Sequence, residues 1–469
     1  MSAPDVTFTP EELARWADGE VVRGDSAARV AGVSIDTRTL ASGEAFFAIR
    51  GPHHDGHDHL LAACEAGAAA LVTEPDRVRP SSLPSGPAVV EVADTTRAFG
   101  DAARGHRRNF RGSLIGLTGS SGKTTTKEMC KSVLSVQAPC LATRGNLNND
   151  YGVPLTLFAR ESQHALAVIE LGMNHRGEIA RLAEIAEPQI GLVTNIGTAH
   201  IEFLGSQEEI ANEKGDLFAA LPAGGVACVN RDDQRVAEQA ARARCAHLGY
   251  GRSTDAEVRA SNVTFEAGRF TFWIEAPESR SEVRVRGLSE TTVINALAAT
   301  AVGLAAGLSP GQVSQGLASY QPIAGRMTPV PLESGVTLID DSYNANPDSM
   351  AQALESLRSL AGPDRAIAVV GDMGELGAQA EVAHREAGAR AARLGIDAIF
   401  AVGDRAALVC EGAVAGGLPH SAVAAVESHH DAAERVRALA GRGDWVLIKG
   451  SRAMQMERVV AALSGSETH

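Results

Sequence analysis

The chain has 469 residues, 44% of them hydrophobic, and carries 43 basic and 57 acidic side chains for a formal net charge of −14. That length suits about three domains at ~150 residues each, the hydrophobic content excludes a fibrous or disordered chain, and the acidic balance makes duplex nucleic acid an unsuitable partner. Six cysteines without CxxC or metal-finger spacing argue against a disulfide framework or structural zinc and fit a reducing compartment.

The N-terminal stretch has neither a basic n-region nor an apolar h-region, and no run of about 18 apolar residues occurs. A cytoplasmic protein without a signal peptide or membrane span is therefore expected. The first segment, to residue 92, holds strand-like runs ARVAGVSID and GEAFFAIRG, a helical LLAACEAGAAALV and an exposed loop at 79–87. His53 to His59 reads HHDGHDH. Gly56 implies a turn and no paired helical spacing is present, so a solvated or ligand-contacting loop is expected there, not a metal cage. A helix over DTTRAFGDAARGHRRNF then leads to the next strand.

From Leu114 the strands LIGLTG, HALAVIELG, IGLVTNIG and GVACVN alternate with helical periods, which predicts a parallel sheet with helices on both faces. The helical TTVINALAATAVGLAAG and an LSPGQV turn close this region near residue 320. From residue 322, strands TLIDDSY, AIAVVGDM, AIFAVGD and WVLIKGS predict a second doubly wound unit with ligand residues at strand C-termini. The expected class is α/β in three domains: 1–92, 93–321 and 322–469.

TGSSGKTTT follows the first strand of the middle region. Gly119 and Gly122 let the backbone turn its N–H groups of Ser120 and Ser121 toward an anion, and the next helix adds its positive N-terminus. Lys123 can reach outer phosphates, and the Thr124 hydroxyl, followed by Thr125, can ligate Mg²⁺. Glu170 ends a strand where a magnesium ligand is usually placed, and His200 lies just beyond another, past Asn195 and Thr198. In the last region, Asp340 and Asp341 with Tyr343, Asn344 and Asn346, then Asp372 with Glu375, then Lys449 with Ser451 and Arg452, form three polar strand ends on one ligand-facing edge. Pro347 can open the following helix. Motor work, signalling, phosphoryl transfer and ligation are all open to such a loop.

GLTGSSGKTTTKE, GNLNNDYGVPLTL, ELGMNHRGEI, NIGTAHIEFLGS, DDSYNANPDSM, GDMGELG and KGSRAMQME together resemble the Mur ligase family of ATP-dependent amide-forming enzymes, over essentially the whole chain. YNANPDSM and GDMGELG point to the branch that joins D-alanyl-D-alanine to UDP-N-acetylmuramoyl-tripeptide, and the DNPR-type motif of the branch adding the third residue is absent. The resemblance implies a small N-terminal α/β domain for the UDP-sugar, using Ser34, Asp36, Thr37, Arg38, Asp55, Gly56 and His57. It implies a central P-loop domain binding ATP and two Mg²⁺ through Lys123, Thr124, Glu170 and His200, with Asn295 reading adenine and Asn148 and Asn149 facing substrate. Lys214 aligns with a lysine that can be carbamylated, although Glu213 stands where most of the family has alanine. A Rossmann-like C-terminal domain would bring Arg326, Asp341, Asn344 and Asn346 to the nucleotide. Asp372, Met373, Glu375, Lys449 and Arg452 would line the acceptor side. A cytoplasmic monomer is the expected form.

Overall fold

The computed structural model describes residues 6–51, 54–77, 79–277 and 279–465. Three sheets follow one another along the chain, as the α/β expectation requires. The first contains β1 (Glu20–Arg23), β2 (Val33–Ser34), β3 (Ala45–Phe47), β4 (Ala70–Thr73) and β5 (Ala88–Glu91) in the order β1-β5-β4-β3-β2. All neighbours are parallel except β1 on β5.

LLAACEAGAAALV is not one helix. Only Leu60–Glu65 is helical; Gly67 then adopts φ 86° and the chain enters β4. A left-handed glycine stops a helix, and the buried Ala70, Leu71 and Val72 pair with strands on both sides. His53 lies outside the described residues, while Gly56–His59 forms a short 3-10 turn whose N-cap is Asp55.

The middle sheet contains β6 (Ser113–Thr118), β7 (Cys140–Ala142), β8 (Leu166–Glu170), β9 (Ile190–Val193), β10 (Val226–Asn230), β11 (Ala246–Gly251), β12 (Val258–Glu266), β13 (Arg269–Ala276) and β14 (Ser279–Arg286). Its order is β14-β13-β12-β11-β10-β9-β6-β8-β7. The sheet is parallel through β12, but β13 and β14 run antiparallel, so the expected wholly parallel sheet is a mixed one. The cause is local: Phe270, Phe272 and Ile274 alternate into the core, and the turn at Ala267 and Gly268 has φ 48° and 74°, which suits a tight hairpin. The LSPGQV segment also differs, since Ser309 and Gln312 form a capping box and Pro310 opens a helix, Pro310–Ser319.

The last sheet contains β15 (Thr328–Pro331), β16 (Thr337–Asp341), β17 (Ala366–Gly371), β18 (Ala398–Val402), β19 (Val423–Val426) and β20 (Trp445–Lys449). Its order, β15-β16-β20-β17-β18-β19, is parallel apart from β15 and is doubly wound. In the middle sheet β9, β6 and β8 are neighbours; in the last sheet β16, β20 and β17 are. The polar strand ends of each sheet therefore emerge side by side, and both edges line one cavity of about 810 Å³.

Candidate active site

β6 runs straight into the glycine loop, and the helix Lys123–Leu134 begins at once behind Gly122, whose φ is 75°. The end of β9 clamps this loop from the side. Thr194 Oγ1 donates to the Ser121 carbonyl at 2.7 Å, Asn195 Oδ1 accepts the Ser121 N–H at 2.9 Å, and the Asn195 carbonyl accepts the Ser120 N–H at 3.0 Å. Gly119 cannot carry a side chain: a Cβ there would stand 1.8 Å from Thr194 Oγ1. Lys123 Nζ folds back to the Gly119 carbonyl at 2.7 Å. Burial and then the nearby Arg326 charge push this lysine below its ordinary range, while Glu170 and Glu375 oppose the shift. An anionic phosphate would supply the missing charge.

Glu170, buried at the end of β8, is held by both ends of the site. Asn148 Nδ2 donates to its Oε1 at 2.9 Å, and the Thr124 hydroxyl donates to its Oε2 at 3.3 Å. Arg326 Nη2 from the last domain donates to the same Thr124 oxygen at 3.3 Å. A guanidinium thus already rests against Thr124 Oγ1, and the Thr124–Glu170 oxygen pair is the donor chemistry magnesium selects. No group of three or more His, Cys, Asp or Glu able to hold a metal occurs among the described residues. One or two side-chain oxygens completed by nucleotide phosphates is the usual magnesium arrangement. Thr124 and Glu170 fit it. His200 lines the same cavity, with Nδ1 2.6 Å from Glu375 Oε2, which leaves Nε2 as its remaining nitrogen. The bond to His200 is the main reason that Glu375 is held below the usual carboxylate range.

The opposite wall is built from the ends of β16 and β20. Asp340 Oδ2 accepts the Gly325 N–H at 3.0 Å and Asp341 Oδ1 accepts the Met327 N–H at 3.2 Å, so the two aspartates fix the turn that carries Arg326. The guanidinium carbon sits 4.0 Å from the centre of the Tyr343 ring, a cation–π contact. Lys449 Nζ bonds Asp341 Oδ2 and the Asn344 carbonyl. Asn346 caps the helix Pro347–Ala361, with Pro347 in its first turn as expected, and its Nδ2 lies 3.5 Å from the Ser120 carbonyl. Asn295, on the helix Thr291–Ala305, has Oδ1 3.0 Å from where a Gly122 Cβ would be and lines the cavity with Lys214 and Arg452.

Lys214 is only 1% exposed, and burial, followed by the charge of Lys123, pushes its ammonium well below the lysine range. The neighbouring Glu213 is turned the other way. Its two oxygens accept the N–H groups of Gly177 and Ile179, each at 2.8 Å, at the start of the helix Glu178–Ala186. Glu213 thus satisfies otherwise orphaned helix donors.

Family models for the Mur ligase middle domain, the Mur ligase glutamate ligase domain and the Mur ligase family catalytic domain match residues 117–303, 325–452 and 29–107. UDP-N-acetylmuramoyl-tripeptide–D-alanyl-D-alanine ligase of Escherichia coli (strain K12) is 34% identical, covering 99% of this chain and 100% of that protein. The chain belongs to the Mur ligase family. A crystal structure of MurF from Acinetobacter baumannii superposes with a TM-score of 0.89 at 32% identity, covering 99% of this chain and 100% of that one. MurF ligase from Thermotoga maritima, in complex with ADP, gives 0.82 at 26% identity over 92% of this chain and 97% of that one.

Some residues named for this Mur ligase lie away from the cavity. Asp372 Oδ2 and Oδ1 accept the N–H groups of Asp404 and Arg405, at 3.0 and 3.1 Å. Met373 is 2% exposed, with its N–H on His384 Nε2. Both sit among structural partners instead of lining the cavity. Glu375 does not line the cavity, but its Oε2 lies 2.6 Å from Nδ1 of His200, which does, and its charge reaches Lys123. In the first sheet, Ser34 bonds the backbone of Asp36, Asp36 grips Arg38 with a 2.6 Å contact, and Thr37 lies between them, half-buried. His57 Nδ1 meets Asp55 at 2.6 Å while its Nε2 accepts the Glu74 N–H at 3.0 Å. A Cβ on Gly56 would stand 2.7 Å from the Ala48 backbone. Sequence reasoning missed Asp348, whose Oδ2 accepts the Thr198 N–H at 2.9 Å across the domain boundary. Its place in the NPDS segment, two residues past the helix cap, was the available signal.

Proposed function

We propose that this chain is the ATP-dependent ligase that joins D-alanyl-D-alanine to UDP-N-acetylmuramoyl-tripeptide and so forms the pentapeptide precursor of peptidoglycan. The observation that carries the assignment is Arg326 Nη2 at 3.3 Å from Thr124 Oγ1, because it completes a phosphate site from two separate doubly wound units. A one-domain nucleotide switch has no use for that arrangement. A ligase, which must shield an activated carboxyl from water, does.

In this reading the tripeptide carboxylate oxygen bonds to the γ-phosphorus as the bond to the departing ADP oxygen breaks. The free amine of D-alanyl-D-alanine then bonds to the acyl carbon, and inorganic phosphate leaves. Lys123 and Arg326 hold the phosphoryl oxygens and balance charge that builds as two anions approach. The open backbone N–H groups of Lys123 to Thr125 at the helix start orient the phosphates, those of Ser120 and Ser121 being held by Asn195 instead of facing an anion, and Asn295 stands toward the adenine end. Asp341, Asn344 and Asn346 place Arg326 and the facing helix. Bound Mg²⁺, two ions in the family pattern, would supply further charge neutralisation, with Thr124, Glu170 and His200 as its protein ligands. A depressed amine on Lys214 suits carbamylation, and carbon-13 bicarbonate labelling with a carbamate resonance lost in Lys214→Ala checks it.

The domain roles belong to the same proposal. Residues 1–92 take the UDP-sugar through Ser34, Asp36, Thr37, Arg38 and the Asp55–His57 turn; residues 93–321 take ATP; residues 322–469 take the acceptor through Lys449 and Arg452. No helix of the described residues is long and apolar enough to cross a membrane. Cytoplasmic, monomeric action belongs to the same reading. The test is phosphate release from ATP and Mg²⁺ with the UDP-tripeptide, with and without D-alanyl-D-alanine. Release that needs both substrates is expected, and acceptor-independent turnover overturns the reading.

A further inference from the structure

Among the described residues Asp150 Oδ1 has no hydrogen-bond partner, while the carboxylate of Glu178 near it is engaged. Asp150 follows Asn148 and Asn149 in the cavity wall, and this oxygen is buried. Its charged neighbours do not serve it. Glu178 receives the N–H groups of Asn174 and His175 at 2.6 and 3.1 Å and faces His175 Nδ1 at 3.1 Å. Arg181 is bound to Asp101 at 2.7 Å and to Glu184 at 3.0 Å. Burial, and then Glu178, push the Asp150 carboxyl above the usual range, against the pull of Arg181. A buried acceptor left open in a substrate cavity is costly unless a ligand fills it.

Its position says which part of the substrate it meets. Asn148 holds Glu170 at 2.9 Å, beside the phosphate site. Two residues of chain extend at most about 7 Å. The tripeptide carboxylate must reach that phosphate site, and the third residue's side chain leaves from the same carbon. A flexible four-carbon stem spans a comparable length. The facing wall, with Arg326, Lys449 and Arg452, is cationic and suits the acceptor's carboxylate instead. We propose that the Asp150 carboxylate receives the side-chain ammonium of the third residue of the donor tripeptide, and so selects donors that end in a side-chain amine. The proposal rests on the ligase reading above. Lysine and diaminopimelate both carry that amine, so the residue rejects neutral side chains without choosing between the two.

The experiment compares kcat/KM for UDP-linked donors whose third residue is lysine, diaminopimelate or norleucine, in the wild type, Asp150→Asn and Asp150→Glu. The wild type should prefer both amine donors to norleucine. Asp150→Asn should shrink that preference by ~10- to ~100-fold, as expected for losing a charge-assisted bond, and Asp150→Glu should restore part of it. The better wild-type donor of the first two identifies the natural third residue. Calorimetric binding of the lysine and norleucine donors reads the same preference without turnover. A preference that survives in Asp150→Asn, or a loss equal for all three donors, overturns the proposal. Absence of turnover in the wild type with every donor instead overturns the ligase reading.

Discussion

The Asp348 carboxylate meets Thr198 across the boundary between the middle and last domains, accepting its N–H at 2.9 Å and its hydroxyl at 3.3 Å. Gly197 makes room for it: a Cβ there would lie 2.2 Å from Asp348 Oδ2. Asp348→Ala leaves the Thr198 N–H without this partner, a loss of about 1 kcal/mol in a part-buried setting. The variant should lower kcat by roughly 10-fold while the KM for the UDP-tripeptide stays near wild type. X-ray scattering with an ATP analogue and both substrates should show a less compact particle. Wild-type kcat and compaction in the variant would remove Asp348 from the closing contact.

Lys123 is the only lysine on the phosphate loop itself, bound back to the Gly119 carbonyl at 2.7 Å. Lys123→Ala should abolish turnover and leave UDP-sugar binding, measured by calorimetry, nearly intact. Near-normal rates in that variant would sink the assignment of the loop.

Arg326 bonds Thr124 at 3.3 Å and stacks 4.0 Å from the Tyr343 ring centre. A lysine can replace its charge but not its planar fork or its stacking. Arg326→Ala should reduce kcat more than it weakens UDP-sugar affinity, and Arg326→Lys should recover only part of the rate. Equal losses in kcat and sugar affinity would mean that Arg326 acts on folding rather than on the phosphate.

His106 predicts a pH dependence outside the active site. It is 2% exposed among Phe8, Trp16 and Phe158, and neither ring nitrogen has a hydrogen-bond partner among the described residues. Burial, with the Arg160 charge second, lowers its pKa from 6.5 to about 4. Between those values the unfolded chain binds the proton and the folded chain does not, so stability falls as the pH drops from 6.5 toward 4. This single group should contribute up to about 3 kcal/mol of acid destabilisation. Denaturant titration at pH 5 and 7.5 checks it: His106→Leu should flatten the difference relative to wild type, and an unchanged difference would refute it.

The strand ends were the legible part of the sequence. β6, β8, β9, β16 and β20 each carry an apolar run that stops at a polar residue, and these ends converge on the cavity. The edges of the sheets were harder to see. β15 and β19 are four residues each and half-exposed, too short to give a pattern. β13 and β14 alternate buried and exposed residues at period 2, the pattern of antiparallel strands and not of the doubly covered parallel strands before them. Asp372 and Met373 show the limit of motif reading. A residue type at a strand end does not reveal whether its oxygens face a ligand or, as for Asp372, the backbone of the next strand's loop. Asp348 and Asp150 were missed for the converse reason: the partner of Asp348 lies 150 positions away, and Asp150 Oδ1 has none among the described residues.

The helix Pro347–Ala361 begins at Asn346, against Ser120, while the helix Lys123–Leu134 begins directly behind the same loop. Two backbone dipoles, each worth about half a positive charge at its N-terminus, therefore converge only when the domains are together. Closure and anion affinity then become thermodynamically reciprocal: a nucleotide that favours the closed form is held more tightly by it, to the same degree. Without a phosphate between them the two positive helix ends would face each other uncompensated, a repulsion that opposes closure in the empty site.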